Sequence, residues 1–465
     1  MAVETQPTNT LEADMESSIE KPIVLDSRLL KSASLVAQDW EQARLVLPSD
    51  LERSAQTSRA LIRRRGIQCA EDLLRMILVY AVCDWPLRLV AVWCVLMGVA
   101  DISDVAILNR LRHSHVWLGR LIVQLLEQRR IHLPQRQVRL YLVDATVISE
   151  PGSCGTNWRV HLSLDLGQRW VDGIEVTSAK GGETLARFPS QPGDIRVADR
   201  GYAFASSMGP VLASQAQLVV RFNWQNLPLQ DALGQKVAVI TWLRQAFASD
   251  CGSMQEQPVW LSTAQGCFPL RLVALAITPE ATERARRRAR EAAAKKGRTP
   301  DERTLFACGF ILLLTNLPVS HWSTAEVLDL YRLRWQIELL FKQLKSLLNF
   351  ANLRAQDPHL AQTYLLGKIL ALLMLETLTS SAAAQVPDWF SSPLRPVSTW
   401  RLTTLLFAHL RQIVQGLIDW PLILQQLPKL QRFLCDAPRR RRKQSITARL
   451  LASRLSVCQC LLSLS

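Results

Sequence analysis

The chain has 465 residues, 48% hydrophobic and 20% charged, a balance that excludes extensive disorder and leaves length for roughly two to four packed units. Fifty-five Lys and Arg stand against 40 Asp and Glu, a net charge of +15, which favours a polyanion such as nucleic acid, or an anionic membrane surface, over an unengaged basic face. The ten cysteines follow no repeated pair spacing, Cys458-x-Cys460 included, so no zinc signature is read and the thiols are expected to be reduced, in a cytoplasmic protein. Met1 to Glu20 has no basic segment followed by an apolar one, and no secretory signal is expected. Two apolar stretches, Met76 to Ala100 and Leu365 to Leu378, are interrupted by Asp84, Pro86 and Arg88 and by Lys368 and Glu376, so they predict buried helices and not membrane spans.

In chain order, residues 1–45 read as a polar, flexible lead-in. Residues 46–133 carry apolar spacings of three and four and predict a helical, DNA-binding domain. Within it Asp101 to Arg112 predicts a short helix with Ser103 as cap and Arg110 and Arg112 near its far end; it suits a DNA groove or a packing role equally. After Pro134 the period becomes alternating, and Val138 to Val143 predicts a strand ending at Asp144. Arg159–Asp165 and Trp170–Val176 predict a hairpin. Gly181-Gly182 breaks the chain before a helical piece from Glu183 to Phe188. Ile195–Ala198 predicts a strand that delivers Asp199, and Leu218–Phe222 predicts another. This order of strands is that of a ribonuclease H-like sheet, here assigned to residues 134–222 and 316–358 in a mixed α/β chain. Residues 223–315 predict an inserted, mainly β subdomain, with strands at Pro258–Ser262, Leu270–Ile277 and Phe306–Thr315. The insertion also holds a basic helix, Glu280 to Lys296, which reads as a solvated helix or, because positive charge nearly surrounds it, as a phosphate-contacting one. Residues 359–465 predict apolar helices and a basic tail, Arg439 to Lys443.

Tyr331 to Lys345 carries the most information. On a helix advancing 3.6 residues per turn, Tyr331, Arg334, Glu338 and Lys345 fall within a sector of roughly 60°. Beside them runs an apolar stripe that includes Leu333, Ile337, Leu340, Phe341, Leu344 and Leu348, so a carboxylate framed by cations sits next to a buried face, within a helix expected from Ser323 to Phe350. Taken singly, Asp144 also reads as a strand end, Asp199 as the start of a turn and Glu338 as a surface partner of Arg334. Their joint order points to a constellation of three carboxylates suited to Mg²⁺ or Mn²⁺, with two ions able to serve an in-line displacement at phosphorus. His161, on a strand, reads as structural rather than proton-transferring.

With these residues in view, the chain resembles the DDE transposases of the IS4 type. Tyr331, Arg334, Glu338 and Lys345 meet that group's Tyr-x2-Arg-x3-Glu-x6-Lys signature in full. Val143-Asp-Ala-Thr146 resembles its first block and Ala198-Asp-Arg-Gly-Tyr202 its second. The resemblance, over about residues 60 to 350, implies an insertion-sequence transposase that cleaves transposon ends and transfers the freed 3′-OH into target double-stranded DNA, as a homodimer on paired ends. It implies catalysis and metal ligation by Asp144, Asp199 and Glu338, and DNA contacts from Tyr331, Arg334, Lys345 and Arg200. Hairpin-forming relatives hold a flipped base on an aromatic of the insertion; here Phe310 stands in that region, to stack or to fill the β core. Two rival readings remain at this point: a nuclease without strand transfer, and a catalytically silent DNA-binding remnant.

Overall fold

A computed structural model describes residues 40–41, 43–131, 139–248, 254–385, 398–416 and 420–434. The expected lead-in up to residue 39, Val138, the basic tail and Cys458-x-Cys460 lie outside the described residues. The six described cysteines, Cys69, Cys83, Cys94, Cys154, Cys267 and Cys308, are free thiols.

The helical N-terminal part comprises α1 (Leu51–Thr57), α2 (Ala70–Val82), α3 (Leu87–Leu96) and α4 (Asp104–Ile131). The last is far longer than the short helix expected there, because buried Ile107, Leu111, Leu118, Leu121 and Leu125 keep one face apolar beyond Arg112. Its arginines serve packing: Arg110 donates to the carbonyls of Arg63 and Arg65, and Arg112 pairs with Asp357 at 3.1 Å.

The sheet begins with β1 (Arg139–Ile148), β2 (Trp158–Asp165) and β3 (Trp170–Ser178), and continues through β4 (Asp194–Ala198). Helix α5 (Ala205–Ala213) then leads to β5 (Gln217–Arg221). β1 pairs antiparallel with β2 and parallel with β4, and β4 pairs parallel with β5. The order 3-2-1-4-5, with an antiparallel half and a parallel half, is the ribonuclease H-like arrangement expected from the strand sequence. β1 does not stop at Asp144 as expected; it runs on to Ile148 because Ala145 to Ile148 keep pairing with Trp158 to His161. The expected helical piece at Glu183 shrinks to a 3₁₀ turn, Leu185–Arg187.

After β5 come α6 (Val239–Ala246), β6 (Met254–Thr263), β7 (Gly266–Ala276), α7 (Pro279–Ala294), α8 (Glu302–Ala307) and β8 (Phe310–Thr315). Phe306 and Ala307, expected in a strand, end α8 instead, where Asp301 caps the helix by accepting from Arg303 N at 2.9 Å. β8 pairs antiparallel with both β5 and β7, so the insertion's strands extend the first five into one eight-stranded sheet, 3-2-1-4-5-8-7-6.

The chain returns through α9 (Thr324–Arg332) and α10 (Trp335–Leu347), then α11 (Pro358–Gln385), α12 (Thr399–Gln415) and α13 (Trp420–Leu434). Ser323 caps α9 in a reciprocal capping box with Glu326. The single helix expected from Ser323 to Phe350 is two: Leu333 and Arg334 form a tighter turn in which Arg334 N and Ile337 N bond three residues back, to Tyr331 and Arg334. α11 has a 24-residue stretch, Pro358–Ser381, apolar and long enough to cross a membrane, but two-thirds of its most apolar window is buried in the protein. It packs along α4 and α2, with Gly367 where a Cβ would come within 2.7 Å of Ala81 Cβ.

Lys368 on α11 is fully buried and donates to Asp84 Oδ1 at 2.8 Å and to the carbonyls of Leu348 and Asn349. Tyr364 OH donates to the same carboxylate, and Asn349 Nδ2 reaches its other oxygen at 3.1 Å. This knot ties the end of α2 and the end of α10 to α11. Removing one partner of a buried pair strands the other charge, so Asp84→Ala is expected to destabilise the protein by about 3–5 kcal/mol, and Asp84→Ala with Lys368→Met to recover much of that loss in denaturant unfolding.

Candidate active site

The register of β1 against β4 builds the site. Val143 lies opposite Ala198 across the parallel pair, so the next residue on each strand, Asp144 and Asp199, emerge side by side. β4 ends there, and Asp199 opens a 3₁₀ turn, Arg200–Tyr202. α10 lies over β1 with Ile337, Leu340, Phe341 and Leu344 buried beneath it, and that packing turns the polar residues of its first turn toward the two aspartates.

Arg334 is the hub. Its Nη1 donates to Asp144 Oδ2 at 3.1 Å while Nη2 donates to Glu338 Oε1, so one guanidinium spans two of the three carboxylates. Tyr331 OH donates to Asp199 Oδ1 at 3.1 Å, and Arg221 at the end of β5 stands 4.0 Å from the same oxygen. Burial pushes the Asp144 carboxyl up to about 6, aided by the charges of Asp199 and Glu183 and opposed by the Ala145 N–H and Arg334. Burial acts the same way on Asp199, but the Arg200 N–H, Arg334, Arg221 and the Tyr331 hydroxyl together outweigh it and hold Asp199 below the usual carboxylate range.

The structure thus brings Asp144, Asp199, Glu338, Tyr331 and Arg334 together. Lys345 is exposed two turns further along α10, and Arg200 is exposed on the turn after Asp199. Phe310 is half-buried at the start of β8, with ring centroids 4.9 Å from Phe247 and 5.3 Å from Phe306, inside an aromatic cluster of the insertion. Glu183, Tyr202 and Arg221 also border the aspartates, and none was singled out from sequence. Only their positions, after Gly181-Gly182, within Asp-Arg-Gly-Tyr and at a strand end, hinted at them.

Among the described residues no group of three or more His, Cys, Asp or Glu side chains stands close enough to hold an ion. The donor set nonetheless fits a hard divalent cation, since it offers carboxylate oxygens alone, and the charge on Asp144, opposed by its acidic neighbours, is one that a cation would relieve.

The sequence profile of the Transposase DDE domain matches residues 139–374, the span from the first residue of β1 into α11. The transposase for insertion sequence element IS421 of Escherichia coli is 38% identical over 337 residues, covering 71% of this chain and 90% of that protein. The chain belongs to the DDE transposase family. Another relative, the transposase for insertion sequence element IS231F of Bacillus thuringiensis subsp. israelensis, is 29% identical over 122 residues, 26% of this chain and 25% of that protein. A piggyBac transposase synaptic complex with hairpin DNA superposes with a TM-score of 0.45 at 10% identity, covering 86% of each chain. DDE transposases cleave DNA and transfer strands with divalent metal.

His161 is buried on β2, donating or accepting at 3.0 Å with Thr177 Oγ1 through Nε2, while its Nδ1 has no hydrogen-bond partner among the described residues. Burial, then Arg187 and Arg159, push it down to about 4 from 6.5. The folded protein therefore resists protonating His161. The contribution of His161 to stability is full above pH 6.5 and is lost as pH drops toward 4, roughly 3 kcal/mol for that shift. Relative to wild type, His161→Gln is expected to lose this decline between pH 6.5 and 4 in unfolding measured across pH.

Proposed function

We propose that Asp144, Asp199 and Glu338 are the metal-holding carboxylates with which this DDE transposase cuts the ends of its element and joins the freed 3′-OH to target DNA. The observation that carries the reading is the β1–β4 register, which sets the two aspartates side by side, with Arg334 reaching from α10 to join Asp144 to Glu338. Held there, two Mg²⁺ or Mn²⁺ ions would stabilise charge on the attacking and leaving oxygens of an in-line displacement. Asp144, Asp199 and Glu338 would hold them. Arg334 neutralises two of these carboxylates, and a cation taking over that role leaves its planar fork free for a phosphate of the DNA end. Tyr331 beside it would add a hydroxyl donor, and Lys345, further along α10, a point charge. In end cleavage a water oxygen bonds to phosphorus as the bond to the 3′ oxygen breaks, leaving a 3′-OH and a 5′-phosphate. In joining, that 3′-OH makes the same displacement on a target strand.

The partner is DNA, held by phosphate contacts that lead away from the site. The thiol of Cys308 is pushed up by burial and pulled down by Arg286, Arg200, Arg221 and Arg290, so positive charge from α7, β5 and the Asp199 turn is felt there together. α7 has no buried residue, and Arg284, Arg287, Arg288 and Arg290 are exposed along it. This favours the phosphate-contacting reading of the basic helix over the solvated one. A homodimer that pairs two ends belongs to the same proposal, with one catalytic centre per chain.

Asp144→Ala, Asp199→Ala and Glu338→Ala are each expected to abolish nicking of end-containing DNA while leaving DNA binding intact in a gel-shift titration; a variant that still nicks removes its residue from the triad. Supplying precut ends with Mg²⁺ should give joined product, whereas hydrolysis without joining would favour a nuclease. Arg284→Ala with Arg288→Ala should weaken binding to all sequences alike and lower the slope of log affinity against log salt by about one unit per lost contact.

A further inference from the structure

The acidic character of the site does not end with three carboxylates. Glu183 follows Gly181-Gly182 in the loop after β3, and that loop is fixed in place. Arg159 Nη1 donates to Gly181 O at 2.9 Å and Arg187 Nη2 to Gly182 O at 2.8 Å, while Thr184 caps the 3₁₀ turn that follows. A side chain at Gly181 would collide with Thr177, so the turn packs directly on β3. The loop lays the Glu183 carboxylate against the backbone of Gly201, two residues beyond Asp199, so closely that a Cβ on Gly201 would overlap Oε2. Despite this tight seat, Glu183 makes no hydrogen bond or ion pair with any described residue.

Tyr202 supplies a second, independent sign. It is 1% exposed, and its hydroxyl is buried with no hydrogen-bond partner among the described residues. Burial raises its pKa, and the next contributions come from Asp144 and Glu183, so the orphan hydroxyl lies in the field of both carboxylates. A buried hydroxyl rarely goes unpaired in a finished site. Here its natural complement is a hydrated ion, whose water can accept from the tyrosine and donate to the carboxylates.

We infer that Glu183 is a fourth acidic residue of the divalent-ion site, holding the ion or its water, with Tyr202 OH as hydrogen-bond partner to that hydration shell. The inference rests on the triad reading and names a member of the same site. Its logic is geometric: Asp144 comes from within β1 and Asp199 from just beyond the end of β4, Glu338 from a helix above them, and Glu183 from a loop braced by two arginines beside the Asp199 turn. Gly201 is then required by the neighbour that needs its missing side chain.

The test uses the full chain without DNA. Mn²⁺ binding is measured by titration calorimetry for wild type, Glu183→Gln, Glu183→Asp, Gly201→Ala and Asp144→Asn, with metal-free unfolding midpoints as a control on folding. Glu183→Gln keeps the side chain's size and is expected to weaken Mn²⁺ affinity about ten- to a hundredfold with no drop in the metal-free midpoint. Glu183→Asp should retain part of the affinity, and Gly201→Ala should mimic Glu183→Gln. In nicking assays the Glu183→Gln loss should be offset by raising Mn²⁺. Wild-type affinity in Glu183→Gln beside a weakened Asp144→Asn overturns the role of Glu183 alone. Wild-type affinity in both overturns the triad reading with it.

Discussion

Everything at this site depends on one alignment, the parallel pairing of β1 with β4 that places Val143 opposite Ala198. Side chains alternate along a strand, so a shift of one residue would send Asp144 to the other face of the sheet. The register is held by burial on both sides: Leu142, Ile195, Val197 and Val219 belong to the large core under the helices, while Val143, Ala198, Leu218 and Val220 belong to the core under α5. A strand buried on both faces cannot slip without exposing one apolar set, and the two aspartates inherit that rigidity.

The third carboxylate is positioned by helix packing and not by sheet pairing, and charged residues secure the helices. Arg129 on α4 meets Glu376 on α11 at 2.7 Å, and the other oxygen of Glu376 accepts from the Val171 N–H of β3 at 3.0 Å. Arg130 pairs with Asp172 on the same strand at 3.1 Å. With the Asp84–Lys368 knot at the end of α10, these contacts fasten the helical N-terminal part, the sheet and α10 into one block. Such pairs add little net stability for their desolvation cost, but a misaligned alternative leaves each charge bare, so they specify the arrangement. Within that block the site itself is electrostatically unfinished: one guanidinium offsets two carboxylates, burial raises Asp144, and Glu183 and the Tyr202 hydroxyl have no hydrogen-bond partner among the described residues. A polar centre left short of positive charge inside a well-satisfied frame is what the proposed cation and DNA phosphate would complete.

Periodicity made most of the elements legible. The alternation before Asp144, the hairpin around Leu166 to Arg169 and the capped helix after Ser323 all appear where their patterns place them. Misreadings came where local pattern and long-range pairing disagree. β1 continues past Asp144 because β2 is there to pair with it. α4 outruns its expected end because α11 covers its apolar face. The inserted strands β6 to β8 join the main sheet through β8 and β5, a pairing across nearly 90 residues of which the sequence carries no sign.

By itself the sequence determined the chemistry: three carboxylates in order, a cation three residues after Tyr331 and four before Glu338, and a charge balance suited to DNA. Spacing along a helix and alternation along a strand are local, so residue type and offset suffice to read them. What only the tertiary structure decided is which groups meet: that Arg334 spans Asp144 and Glu338, that Tyr331 serves Asp199, and that Phe310 packs among phenylalanines. Glu183 belongs here too. It has no periodic pattern to mark it and reaches the site only because a braced loop folds back onto a glycine, a contact made by closing the chain and not by any rule that runs along it.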